Sequence, residues 1–146
     1  MKKIIIAGFL VVAGIAQMNA QEWLNNFEEA KKIASKNNNP IILVFAGSDW
    51  CSPCIKLEKQ VFDTEEFKKY AQDNYVLVKA DFPRRKKNQL SQQLQDQNNG
   101  LADRYNKSGG FPLVVVLDKT GKKLGEVGYK KVTPGAYLDI LNKMIK

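Results

Sequence analysis

The sequence predicts an α/β domain in three layers, a mixed central sheet with helices on both faces. Three observations carry that expectation. Ile41–Ala46 (IILVFA), Tyr75–Ala80 (YVLVKA) and Leu113–Leu117 (LVVVL) are short apolar runs rich in strand formers, and continuous runs suit strands buried on both faces. Helical spacing recurs between them. A last, weakly alternating stretch, Lys123–Tyr129, follows the third run after a four-residue turn, DKTG, as an antiparallel edge would.

Before the domain comes a leader. Lys2 and Lys3 precede an uncharged apolar run, Ile4–Ala16, and a polar end at Ala20. That order is expected of a secretory signal peptide, and the run is short of the roughly 20 residues a bilayer takes. Residues 1–20 are therefore expected to be the signal peptide and 21–146 the mature domain. Met18 is large for its place before the cut, so cleavage after Ala16 is the second choice, and an uncleaved anchor the third. Export places the protein in the periplasm or outside the cell, where disulfides persist.

The elements follow in order. Trp23, Leu24, Phe27, Ala30, Ile33 and Ala34 share helical spacing, so Glu22–Lys36 is expected to be an amphipathic helix, stopped by NNNP at Asn37–Pro40. The first strand, Ile41–Ala46, ends at the turn Gly47-Ser48-Asp49. From Cys54, CIKLEKQVF contains no breaker and predicts a helix. DTEEF restarts one, with Asp63 or Thr64 as cap and Phe67, Tyr70 and Ala71 on its buried side. The second strand leads to Pro83 and a basic loop, Arg84–Lys87. Asn88–Asn99 is rich in Gln and Asn and predicts a mostly exposed helix, with disorder as the alternative. Leu101, Ala102 and Tyr105 give its end a buried stripe, and KSGGFP makes a tight loop before the third strand. Thr133 then Pro134 is a cap followed by a first-turn proline, and Tyr137, Leu138, Leu141, Met144 and Ile145 face inward on the last helix. Strands separated by helices require parallel pairing with crossovers, so only the final hairpin is expected to be antiparallel.

The net charge is +8, part of it in the leader and part in Arg84–Lys87. Acidic residues are interspersed almost everywhere else, which predicts a solvated surface and no nucleic-acid partner. The basic run also has no interleaved aromatics on which bases would stack.

The chain has two cysteines, Cys51 and Cys54, and no histidine. A zinc site needs four ligands, and one CxxC supplies two, so no metal is expected. A structural disulfide gains stability by closing a loop, and a two-residue spacer closes almost none. Thiol–disulfide exchange explains the spacing directly. Cys51 would precede the first turn of a helix, whose exposed N–H groups favour a thiolate, the form that attacks a disulfide. Cys54, one turn deeper, would attack the mixed disulfide so formed.

FAGSDWCSPC, KLEKQVFDTEEFKKY, YVLVKADF and GGFPLVVVLDKTGKKLGEVGY together resemble the thioredoxin superfamily, in particular its exported single-domain members and the thioredoxin domains of periplasmic disulfide carriers. The resemblance covers essentially all of residues 21–146 and implies a thioredoxin-like sandwich. It implies that Cys51 is the exposed nucleophile, Cys54 the resolving thiol and Trp50 their neighbour. Pro112 would be a cis proline opposite the disulfide, with Phe111 lending backbone hydrogen bonds to substrate; composition alone favours an ordinary trans bond there. One departure matters. Thioredoxins carry a buried Asp six positions before the first cysteine, where this chain has Phe45. Glu58, four residues after Cys54 and on the same helix face, is a substitute for proton transfer, or else simply pairs with a lysine. Asp49 either raises the Cys51 thiol pKa or is merely solvated.

The expected function is an exported thiol–disulfide oxidoreductase, monomeric and without cofactor, acting mainly as a reductase on cysteine-containing envelope proteins. A membrane disulfide carrier is its expected electron donor. The alternatives are a non-catalytic binding module of the same fold, or an oxidase or isomerase.

Overall fold

The hexapeptide Ile41–Ala46 lies at the centre of the sheet because both of its faces find cover. The computed structural model describes residues 22–146, so the expected leader at 1–20 lies outside the described residues. In chain order the elements are β1 (Trp23–Leu24), α1 (Phe27–Asn37), β2 (Ile41–Ala46), α2 (Ser52–Leu57), a π-helical segment (Glu58–Phe62) and α3 (Glu65–Asn74). Then come β3 (Val76–Asp81), a 3₁₀ turn (Lys86–Asn88), α4 (Gln92–Tyr105), β4 (Leu113–Leu117), β5 (Lys123–Val127) and α5 (Pro134–Ile145).

The sheet order is β1-β3-β2-β4-β5. Side chains alternate across it with period two. Ile42, Val44, Leu77, Val114 and Val116 meet α2, α3 and α5 on one face, in a cluster that includes Cys51 and Cys54. Ile41, Leu43, Phe45, Val78, Val115 and Leu117 meet α1 and α4 on the other. The expected three layers and mixed sheet are present.

One pairing corrects the expectation. β2 runs parallel to β3, but β4 is antiparallel to β2, with Ile41 opposite Leu117 and Phe45 opposite Leu113. The connection from β3 leaves beside Ala46 and re-enters beside Phe45. Its helix thus carries the chain across the sheet and back to the same end, which reverses the strand direction.

Local chemistry accounts for the other differences. Trp23 and Leu24 are a short strand parallel to β3, not a first helical turn. Asn26, in extended conformation, starts α1 instead, its side chain accepting the Glu29 N–H at 3.0 Å. The Asn-rich stop works through Asn38, whose left-handed backbone (φ 57°) closes the helix onto the Ala34 carbonyl. Helix α4 begins at Gln92, capped by Ser91, and runs unbroken to Tyr105. Asn88 belongs to the 3₁₀ turn. Asn98, expected on an exposed face, is buried, and its Nδ2 donates to the Asp81 carbonyl at 3.0 Å. β5 ends at Val127, because the Gly128 carbonyl accepts the Tyr137 hydroxyl instead of continuing a ladder. Thr64 and Thr133 cap α3 and α5 as expected. Among the described residues no helix is long and apolar enough to cross a membrane.

Candidate active site

β2 delivers the chain to the site through Gly47. The Gly47 carbonyl accepts the N–H groups of Trp50 and Cys51, at 3.2 and 2.8 Å. A Cβ on Gly47 would collide with the Trp50 indole, so only glycine lets the ring fold back there. Asp81, at the end of β3, fixes the same turn by accepting from the Ser48 N–H and hydroxyl, at 2.9 and 2.5 Å. Trp50 Nε1 donates to the Phe82 carbonyl at 2.7 Å.

Cys51 is then the N-cap of α2, extended at φ −91° and ψ 101°, with Pro53 in the first turn. Proline costs nothing there, since first-turn N–H groups have no helical acceptor. Cys51 and Cys54 form a disulfide, their Cα atoms 5.3 Å apart. The Cys54 N–H donates to Cys51 Sγ at 3.3 Å, so a first-turn amide already points at the sulfur.

Exposure corrects one expectation. Cys51 is 4% exposed, hardly more than the core, and Cys54 is 5% exposed. The closed disulfide packs into the apolar cluster with Trp50 and Phe111 against it. Phe111 stands edge-on to Trp50 and to Phe82, ring centroids 5.6 and 5.4 Å away. The Phe111–Pro112 bond is cis, and Leu113, the next residue, pairs with Phe45 at the end of β2 that leads into the site.

Glu58 opens the π segment, and its carboxylate accepts from Lys79 Nζ at 2.5 Å. The partner is a lysine from β3, not a helix neighbour, and the pair is only partly exposed. Glu58, Lys79, Cys54, Ser48 and Asp63 line one cleft of ≈ 260 Å³. Phe45 belongs to the cluster on the other face of the sheet from the disulfide, so the departure at that position leaves the cleft untouched. The residues of β2 in the disulfide's cluster are Ile42, Val44 and Ala46.

Asp49 is neither merely solvated nor free. Its oxygens accept from the Arg84 and Arg85 N–H groups and from Asn88 Nδ2, each at 3.0 Å. The Arg84 amide first, then the Asn88 side chain, hold its carboxyl at a pKa of about 2. The basic loop is thereby brought onto the site, with the Arg84 guanidinium 3.7 Å from the centroid of the Trp50 ring.

Sequence reasoning missed Lys79, Arg84 and the Phe82 carbonyl. Lys79 carried a signal, the lone charge in the run Tyr75–Ala80. Arg84 and Phe82 carried none, because β3 and its loop reach the site by sheet pairing. Among the described residues no three His, Cys, Asp or Glu side chains gather as a metal-binding group.

The family described as Thioredoxin-like matches residues 22–119. The disulfide bond reductase DsbH of Chlamydia pneumoniae is 35% identical over 132 residues, covering 90% of this chain and 76% of that protein. The thioredoxin-related protein DsbJ of Chlamydia pneumoniae is 26% identical over 106 residues, 73% of this chain but 30% of the relative. Among solved structures, a DsbH oxidoreductase aligns with a TM-score of 0.79 at 28% identity, covering 99% of this chain and 94% of the other.

Proposed function

The chain belongs to the thioredoxin-like family, and from that premise we propose that it is an exported reductase of disulfides in envelope proteins. It is a thiol–disulfide oxidoreductase with its redox pair at Cys51 and Cys54. The observation that carries the mechanism is the Cys54 N–H directed at Cys51 Sγ, at the start of α2.

In the reduced protein that N–H stabilises a Cys51 thiolate. The thiolate attacks one sulfur of a substrate disulfide, and the other leaves as a thiolate and takes a proton. A mixed disulfide between Cys51 and substrate results. Cys54 then loses its proton and attacks Cys51 Sγ, which expels the second substrate thiol. The two electrons have passed to the substrate, and the protein is left with the Cys51–Cys54 disulfide. Glu58, beside Cys54 in the shared cleft, accepts the Cys54 proton. Trp50, Phe111 and the cis Pro112 form the surface on which the substrate chain lies.

The reductive direction is supported by the name of the Chlamydia pneumoniae relative, and export by the leader-like residues 1–20. A soluble domain that spends its electrons needs a donor, which we assign to a membrane disulfide carrier. The test is the reduction potential of the purified protein in graded thiol–disulfide buffers. A value of about −250 mV or below marks a reductant, and one near about −120 mV an oxidant. The reductant should also reduce insulin, and Cys51→Ser should abolish this.

A further inference from the structure

Arg84–Lys87 is an exposed basic run that the redox chemistry does not use. None of its four cations lies within ion-pair distance of a carboxylate among the described residues; the pairs found there are Lys31–Glu28, Lys68–Glu65, Lys79–Glu58 and Lys123–Glu126. Two acids lie close by, and Asp49 feels the Arg85 charge, but the oxygens of both are taken up by other donors. Asp49 is taken up by backbone amides and Asn88, and Asp81 by Ser48 and the Phe82 N–H. Four adjacent like charges repel, yet the loop is pinned at two backbone positions. A solvated charge run needs no such anchoring.

The anchored loop walls a cleft of ≈ 370 Å³, whose lining includes Arg84, Arg85, Lys86, Gln95, Asn99 and one acid, Asp81, whose oxygens accept from Ser48 and the Phe82 N–H. Cleft and redox site share a wall. Arg84 covers the Trp50 ring, Phe82 accepts from Trp50 Nε1, and the Phe82 ring touches Phe111. An extended chain advances about 3.3–3.6 Å per residue. A polypeptide whose cysteine reaches Cys51 therefore brings residues only a few positions away over the cations and side-chain amides.

We propose that this cleft selects substrates by charge, binding acidic residues of the polypeptide that flank the reacting cysteine. The proposal rests on the reductase reading and names a class of substrate for it. A polypeptide fits better than a nucleic acid, because the ring beside the cations is already covered by Arg84 and the ligand must carry a cysteine to the same wall.

The experiment mixes pre-reduced protein with two short disulfide peptides in single turnover. They are alike except that glutamates flank the cysteines in one and glutamines in the other. The glutamate peptide should react at least about fivefold faster in low salt, and the ratio should shrink towards one at ~0.5 M salt, where charges are screened beyond a few Å. Arg85→Gln with Lys86→Gln, which keeps the backbone anchors, should reduce the ratio to less than about half its parent value. Equal rates for the two peptides in the parent protein overturn the proposal and leave the reductase reading standing. So does a ratio that the double variant leaves unchanged. So too does a variant that loses affinity for a single-stranded oligonucleotide or an anionic phosphatidylglycerol vesicle while keeping the peptide ratio. If neither peptide is reduced, the reductase reading falls and the proposal with it.

Discussion

Asp49 shows how one side chain changes meaning once its partners are known. From sequence it was a carboxylate beside a reactive sulfur. In the fold it holds the 84–88 loop. Its pKa lies at about 2, below the ordinary 3.8, so the ionised form is the one that binds the loop. The resulting stabilisation is fully present above about pH 4 and is lost as pH falls through the folded-state value near 2. The amide NMR shifts of Arg84 and Arg85 should therefore hold steady from neutral pH down to about 4 and move together below it. Asp49→Ala should move them at neutral pH. Glu58 gives a second prediction. If its carboxylate takes the Cys54 proton, Glu58→Gln should slow resolution of the mixed disulfide at least about tenfold and alter its pH profile. An unchanged rate and profile would leave Glu58 as the partner of Lys79 alone. The Cys51–Cys54 pairing, the packing of Trp50 and the cis bond before Pro112 were legible because each is local or carried by family resemblance. Lys79 and Arg84 were not, since their positions depend on which strand lies beside which.

Caps were the most readable features among the elements. Thr64, Ser91 and Thr133 each accept the N–H three residues on, and two of the three stand out from short-range sequence. Thr133→Ala should cost about 1 kcal/mol, read as a lower urea midpoint with an unchanged slope. That variant still has Pro134 and Tyr137 to hold α5, so activity should persist. The start of α1 and the direction of β4 were misread for one reason. Periodicity says what a segment can bury and not where its neighbours run. Trp23 has helical spacing with Phe27, yet its ring packs on Phe62, centroid to centroid 5.2 Å, which a strand beside β3 permits. The antiparallel entry of β4 depends on the path of a long connection, which no local pattern encodes.

For the whole molecule, two apolar clusters share one sheet, and β2 contributes to both. Phe45, near the site end of β2, is fully buried in the cluster that α1 and α4 cover. Phe45→Ala should lower the unfolding free energy by about 3–5 kcal/mol, measured by denaturant unfolding of the oxidised protein. The redox pair lies in the cluster on the other face of the sheet, and Phe45 reaches its surroundings through the stacked Phe82 ring, so the reduction potential should shift less than the stability.

Because the Cys51–Cys54 bond is packed within one of those clusters, folding and electron transfer are sides of a single thermodynamic cycle. The native and unfolded chains each have a potential for the same two sulfurs. The gap between those potentials must equal the difference in unfolding free energy between the oxidised and reduced proteins, about 1.4 kcal/mol for every 30 mV. A reductant is a protein whose disulfide form is favoured by its fold. The oxidised protein should then melt above the reduced one, and two calorimetric scans would report the sign of the driving force without any substrate at all.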